Sequence, residues 1–528
     1  MTVKQSGDGS PFSLTRRTFL EQFGIVGGSA LVMSAMRSWD LMAAQAGPRP
    51  VLSGRANGTR VIVLGAGVSG MAVGYELGKL GYNVRILEAR DRVGGVNWTL
   101  RRGSTHTEVG PGGETQVCNF DEGQYHNGGP WRLPHWHTGV LGYCKELGVP
   151  LEVFINENES SYFYYEGANV GPLAGKRVRL REVKADMLGY TCELMAKAVN
   201  ADTLDLPLTA EDKERFVTFL VSEGYLTSAD HAYKANRARG ADGDPHNFSA
   251  LLQSGFGNRI RSVIEGTGMS PMFQPVGGMD QFPKGFQRKL GDKITHGAEI
   301  VSIHQTLDNV KVVYKNVKTG AKTEVTADYV VSCLPLTILS GLDVNLSPET
   351  MTAVKATPYS PSAKMGLQMK RRFWEEDDKI FGGHLYSNLP IGNLAYPSWN
   401  YFGNKGIVLG FYGNGQMSGL IDKPIRERIE HVLMHASKVH PQIRAEYETA
   451  YCTFWEKTQY SMGAFAGGGS GGDRLAVLGK PDGRLFLGCA AISGNGGWQE
   501  GAIAAAWKQV KQLHEVAMTR PQTLTSGV

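Results

Sequence analysis

Arg60-Val61-Ile62-Val63-Leu64-Gly65-Ala66-Gly67-Val68-Ser69-Gly70 is the stretch on which the fold turns. A β-branched run passes straight into G-x-G-x-x-G, a helical pattern follows to about Leu80, Gly81 stops it, and a second strand, Asn83 to Leu87, ends at Glu88. Strand, helix and strand in this register open a βαβ unit of the kind that binds an ADP moiety. Gly65 permits the tight turn, Gly67 lets the backbone approach a pyrophosphate, and Gly70 lets helix and strand pack closely. The helix N-terminus, with Val68 and Ser69, then faces the phosphates. Glu88 would accept hydrogen bonds from the adenosine ribose. The fingerprint by itself does not choose between NAD and FAD.

A chain of 528 residues, 41% hydrophobic and 20% charged, is long enough for two or three domains and has the composition of an ordinary globular protein. Its 55 basic and 50 acidic residues are interspersed, with no basic run beyond Lys370-Arg371-Arg372, so nothing points to a nucleic-acid partner. The six cysteines (118, 144, 192, 333, 452 and 489) lack CxxC spacing and neighbouring histidines, which argues against a metal and for buried free thiols. At the N-terminus, Thr15-Arg16-Arg17-Thr18-Phe19-Leu20 precedes an apolar stretch from Phe23 to Met36, and Ala44-Gln45-Ala46 offers a cleavage site. These parts in this order resemble a twin-arginine signal, which implies a periplasmic or secreted protein exported already folded around a cofactor. The apolar stretch is too short for a stable membrane span, which takes roughly 20 residues.

Residues 181 to 261 read as helical and charged, and from Ile300 the pattern turns to strands: Ile300 to Ile303, Val310 to Tyr314, Thr323 to Val325 and Ala327 to Val331. Lys364 to Met369, Gly406 to Tyr412 and Leu485 to Gly488 continue it, and Ala502 to Val516 closes the chain as an amphipathic helix. The expected class is α/β. A signal (1–46) precedes a Rossmann-like FAD-binding domain built from discontinuous segments (57–125, 271–340 and 480–518). A mixed-sheet substrate-binding domain (126–180 and 341–479) and a helical subdomain (181–270) complete the chain.

The preference for FAD comes from the residues after Glu88. Ala89-Arg90-Asp91-Arg92-Val93-Gly94-Gly95 resembles the flavin amine oxidase family, which carries a second glycine pair just after the ribose-binding acid. The family's Gly-Gly-Met-Asp-x-x-Pro segment is matched by Gly277 to Pro283, its adenine-contacting aliphatic by Ile300, and its Ala-Asp-x-Val strand by Ala327 to Pro335. Two positions depart from the family pattern. Val96 stands where an Arg usually approaches the flavin phosphates, leaving Arg90, Arg92 or Arg101 to supply the charge, and Cys489 follows Gly488 where an acid usually holds a ribityl hydroxyl. Ala464 replaces the cysteine that attaches flavin in monoamine oxidases, so the resemblance implies non-covalent FAD.

Within the family the chain is most similar to FAD-dependent L-amino-acid oxidases. Gly129-Pro130-Trp131-Arg132-Leu133-Pro134 resembles the segment that packs on the flavin and offers an Arg to the substrate carboxylate, a task suited to the guanidinium fork. By the same resemblance Lys364 holds a water near flavin N5, and Tyr396 reaches the carboxylate. Gly497 takes the ammonium through its carbonyl, and Trp498 and Phe465 wall the substrate cavity. Gln499 and Ala502 follow at the N-terminus of the closing helix, against the flavin. No histidine between Ser249 and Gln274 matches the base proposed for snake-venom enzymes. What this implies is oxidative deamination of an L-amino acid to a 2-oxo acid, ammonia and hydrogen peroxide, by hydride transfer from Cα to flavin N5. The small-molecule partners would be the amino acid and dioxygen. Two alternatives stay open, oxidation of an amine without a carboxylate and a non-catalytic flavoprotein, as do homo-oligomerisation and the side-chain preference.

Overall fold

The computed structural model describes residues 47–519 apart from 57, 202–208, 224, 236–242, 257–270, 414–417 and 467–471, so the signal-like segment lies outside the described residues. At its centre is a five-stranded parallel sheet in the order Ile294–Thr295, Asn83–Leu87, Arg60–Leu64, Tyr329–Ser332, Leu485–Leu487. Arg60–Leu64 sits in the middle, with Val61 opposite both Val84 and Tyr329. A strand covered on both faces must be apolar throughout, which is why it reads as a continuous run rather than an alternation. Val61 and Val63 pack into one core with Met71 and Leu77 of the helix Val68–Lys79, Phe282 and Phe286 of Gln281–Leu290, and Trp507 and Val510 of Gln499–Thr519. Ile62 and Leu64 face the other way, as the period of two demands. They meet Ile300, Val312 and Ala327 of the antiparallel meander Ala298–Gln305, Val310–Asn316, Lys322–Ala327.

Beside this unit stands a second core built on Ala363–Met369, a strand buried at all seven positions. It runs antiparallel between Gly406–Gly413 and Tyr447–Phe454. Here strand directions differ from one sheet to the next. This sheet is antiparallel throughout, as is the one formed by Leu133–Pro134, Met272–Pro275 and Leu151–Phe154. Directions mix in the small sheet of Tyr162–Tyr164, which pairs antiparallel with Val178–Arg179 and parallel with Tyr386–Ser387. The reason is local: the 363–369 strand needs hydrogen-bonding neighbours on both sides, and alternation in sequence cannot reveal their direction.

The helical stretch comprises Leu180–Asn200, Ala210–Ser222, capped by Thr209 and Asp212, and Phe248–Ser254. The closing helix begins at Gln499 rather than Ala502, because the polar Gln499 and Glu500 are buried by specific hydrogen bonds that an apolar pattern does not disclose. All six cysteines are free thiols, five of them buried. Among the described residues no helix is long and apolar enough to cross a membrane, and no group of three or more His, Cys, Asp or Glu could hold a metal.

Candidate functional site

A cavity of about 440 Å³ runs from the fingerprint turn to the start of the closing helix. At the first end, Gly65 turns the chain at φ +92° and Gly67 opens onto the cavity, with no atom within 4 Å of where its Cβ would stand. A Cβ on Gly70 would lie 2.0 Å from the Gly65 carbonyl oxygen, so only glycine lets this helix start against the strand. The helix Val68–Lys79 has no side-chain cap and no acid in its first turn, leaving its N-terminus to an anionic ligand. Ser69 Oγ donates to the Gly488 carbonyl, and so ties this first turn to the last strand of the sheet.

Glu88, at the end of the second strand, accepts from the Ala66 amide (2.7 Å) and the Arg90 amide (2.9 Å), and it lines the cavity with Ala89, Gly94, Gly95 and Ile300. Of the three arginines proposed to replace the family's charge, Arg90 reaches the cavity. Its Nη2 donates to Gln459 O and Ser461 Oγ. Arg92 stacks on Trp98 instead, and Arg101 is held bidentately by Asp280 at 2.8 and 2.9 Å. Cys489 lines the cavity as a thiol pushed up to about 11 by burial, so it stays neutral where the family carries an acid.

At the far end stand Gly129, Pro130, Lys364, Phe465, Gly497, Trp498, Gln499 and Ala502. Lys364 projects from the buried 363–369 strand, donates to the Gly129 carbonyl, and lies 5.2 Å from the centre of the Trp131 ring and 4.4 Å from that of Tyr412. Burial, and then the charge of Arg132, hold its ammonium well below the ordinary lysine range. The Arg132 guanidinium lies between two indoles, 5.1 Å from Trp131 and 5.7 Å from Trp498. His137 stands edge-on to Trp498 at 4.9 Å and, like His384, is held at about 4 by burial and by Arg132. Thus Arg132 is a fixed cation beside histidines that are neutral at pH 7.

A flavin dinucleotide fits these residues. Besides the open Gly67 and the uncapped helix, the cavity wall carries buried polar atoms without a partner among the described residues: Gln499 Nε2 and Asn97 Oδ1, on side chains joined to each other at 2.9 Å by their remaining polar atoms. Buried polar atoms of this kind are usually satisfied, and a polar ligand in the cavity would do so.

A family model described as flavin containing amine oxidoreductase matches residues 68–514. This chain belongs to that family. Flavin is therefore its expected cofactor. The amine oxidoreductase is 26% identical over 492 residues to the L-amino-acid oxidase of Notechis scutatus scutatus, covering 88% of this chain and 89% of the relative. To that of Vipera ammodytes ammodytes it is 27% identical over 429 residues, covering 78% and 82%. Wild-type putrescine oxidase bound to putrescine shares the fold with a TM-score of 0.55 at 19% identity, over 88% of this chain and 99% of that one.

Not every residue expected in the amine oxidoreductase's site lies on the cavity wall. Gly70 and Gly488 stand behind it, in the packing just described, while Trp131 and Arg132 border it through Lys364, Tyr412 and Trp498. Tyr396 is a correction: its hydroxyl pairs at 2.6 Å with His440 Nε2, whose Nδ1 faces Asp378 at 3.0 Å, so it is spent inside the second core. Tyr412, missed in the sequence, takes the place beside Lys364, because Lys364 and Tyr412 are direct cross-strand partners. Asn97 and Trp455 were missed as well. Trp455 Nε1 donates to Gly128 O at 2.9 Å and so supports the Gly129 turn, a contact between distant segments that leaves no local signal.

Proposed function

We propose that the chain is a non-covalent FAD enzyme that oxidatively deaminates an L-amino acid to a 2-oxo acid, ammonia and hydrogen peroxide. The observation that carries this reading is the environment of Arg132. Its guanidinium lies 5.1 Å from the Trp131 ring and 5.7 Å from that of Trp498, at the end of the cavity that Lys364, Phe465 and Gly497 also line. A guanidinium fork at that border suits a substrate carboxylate.

When bound, FAD supplies a two-electron acceptor for the substrate Cα–H and a route from there to dioxygen. The protein's residues do the rest. Arg132 holds the carboxylate with its fork, and Trp498 and Phe465 confine the substrate, their segments meeting where a Cβ on Gly497 would stand 3.6 Å from the Phe465 ring. Lys364, pulled toward its neutral form, holds a water or moves a proton at Nζ. Asn97, Gln499 and the N-terminus of the closing helix hold the cofactor, with Ala464 beside it offering no thiol for attachment. Segment 1–46 directs export through a twin-arginine-type route, which a reporter fused behind residues 1–46 tests by its appearance outside the cytoplasm.

The experiment for the activity is peroxide release from FAD-loaded protein given each of the common amino acids and the matching decarboxylated amines. Release with amino acids and little with amines is the expected result. Equal turnover of the amines would move the assignment to an amine oxidase, and no peroxide with any of them would leave a flavoprotein without this activity.

A further inference from the structure

Glu500 is completely buried at the start of the closing helix, two residues beyond Trp498. Its Oε1 accepts from the Gly139 amide at 2.8 Å and its Oε2 from the Val140 amide at 2.9 Å. These are first-turn amides of the helix Thr138–Glu146, which has no side-chain cap from its own N-cap residue, His137, and no acid in its own first turn. A carboxylate at a helix N-terminus is favourable both as an acceptor and as a charge on the positive end of the dipole. Glu500 supplies both from the far end of the chain. The helix it holds follows directly on the Arg132-to-His137 segment. That segment touches Trp498 twice, through the His137 ring and through the Arg132 guanidinium. Within it, the His137 amide donates to the Pro134 carbonyl at 3.0 Å, so Arg132 and the helix start are linked by a tight turn.

We infer that Glu500 is a positioning residue: its two-pronged grip locks the Arg132–His137 segment against Trp498 and so sets where Arg132 meets the substrate carboxylate. This rests on the amino-acid reading. The grip is separate from what holds the helices together, since Trp507 Nε1 donates to Tyr143 Oη at 2.8 Å further along the same pair of helices. Glu500→Gln keeps one acceptor oxygen but presents an NH₂ group to the second amide, so one prong is lost while the helix pair keeps its other contacts.

The test compares FAD-loaded wild type, Glu500→Gln and Trp507→Phe, the last as a purely structural control. The readouts are kcat and KM for an amino acid and for its decarboxylated amine, and amide hydrogen exchange over residues 132–146. A shift of Arg132 that breaks one of the two hydrogen bonds of its fork should raise KM for the amino acid by about ten- to a hundred-fold. The kcat should change little, the amine's KM should hold, and exchange at Gly139 and Val140 should accelerate. Trp507→Phe should lower the melting temperature without this split. If wild type prefers the amino acid and Glu500→Gln keeps that preference, or loses KM and kcat alike for both substrates, the positioning role is overturned alone. A wild type indifferent to the carboxylate overturns the amino-acid reading and the positioning role together.

Discussion

Arg132→Ala bears most directly on the assignment. Removing one partner of a hydrogen-bonded charge pair costs about 2 to 5 kcal/mol. Arg132 is half-buried, so solvent screens part of its field and the lower half of that range applies. The expected loss is therefore about 2 to 3 kcal/mol, or roughly thirty- to a hundred-and-fifty-fold in affinity for an amino acid. The neighbouring bases cannot substitute for it. Burial is the largest cause of the depressed values at Lys364, His137 and His384, and burial remains when Arg132 is gone. Because the carboxylate keeps its charge through the reaction, the loss should fall on KM more than on kcat. Arg132→Lys should recover only part, since an ammonium lacks the planar fork. The assay is peroxide release with an amino acid and its decarboxylated amine: wild type should discriminate, and the Ala variant should do so far less. A variant that keeps its flavin and its full discrimination would refute the role of Arg132.

Other outcomes follow from the same geometry. Lys364→Met should slow reoxidation of the reduced flavin more than its bleaching by substrate in stopped-flow traces; both half-reactions unchanged from wild type would reduce Lys364 to a buried strand residue. With Ala464 in place of a thiol, acid precipitation should leave yellow FAD in the supernatant, and flavin in the pellet would contradict non-covalent binding. Gly70→Ala should abolish flavin loading and lower the melting temperature, because its Cβ meets the Gly65 carbonyl oxygen at 2.0 Å; the visible absorbance of the purified protein reads the loading directly. His126 is held at about 3 by burial and, secondarily, by Lys364. Its folded value lies below the ordinary value of about 6.5, so the unfolded chain binds the extra proton between those pH values. The stabilisation is thus complete above pH 6.5 or so and is lost on acidification by about 1.4 kcal/mol per pH unit. His126→Asn should flatten that slope in denaturant titrations, and an unchanged slope would place the acid sensitivity elsewhere.

The sequence disclosed what is local and periodic. The βαβ opening was legible because turn, helix start and acid fall within one short window, and the 363–369 strand because its burial leaves few polar interruptions, Lys364 and Gln368. Pairing direction was not legible, since it depends on strands some forty to eighty residues away. The same limit explains Tyr396 and Tyr412. Both sit in strand-like surroundings, and only the register that sets Lys364 opposite Tyr412, and the hydrogen bond that joins Tyr396 to His440, tell which ring lines the cavity and which lies in the second core. Asn97 and Glu500 escaped notice for a related reason, because a polar residue buried by a partner hundreds of positions away looks like any exposed one.

The order of strands in the parallel sheet has a consequence for biosynthesis. The strand Leu485–Leu487 pairs with Tyr329–Ser332, and the helix Gln499–Thr519 covers the Val68–Lys79 helix made more than four hundred residues earlier. Neither contact can form while those residues are still inside the ribosome, so the cavity has no complete wall until the chain has emerged through residue 519. Such long-range closure is slow, and partly built sheets with open edges invite misassembly. Cofactor capture then waits for the strand Leu485–Leu487 and the helix Gln499–Thr519 to take their places. A flavin supplied to stalled nascent chains ending before residue 485 should find no stable seat.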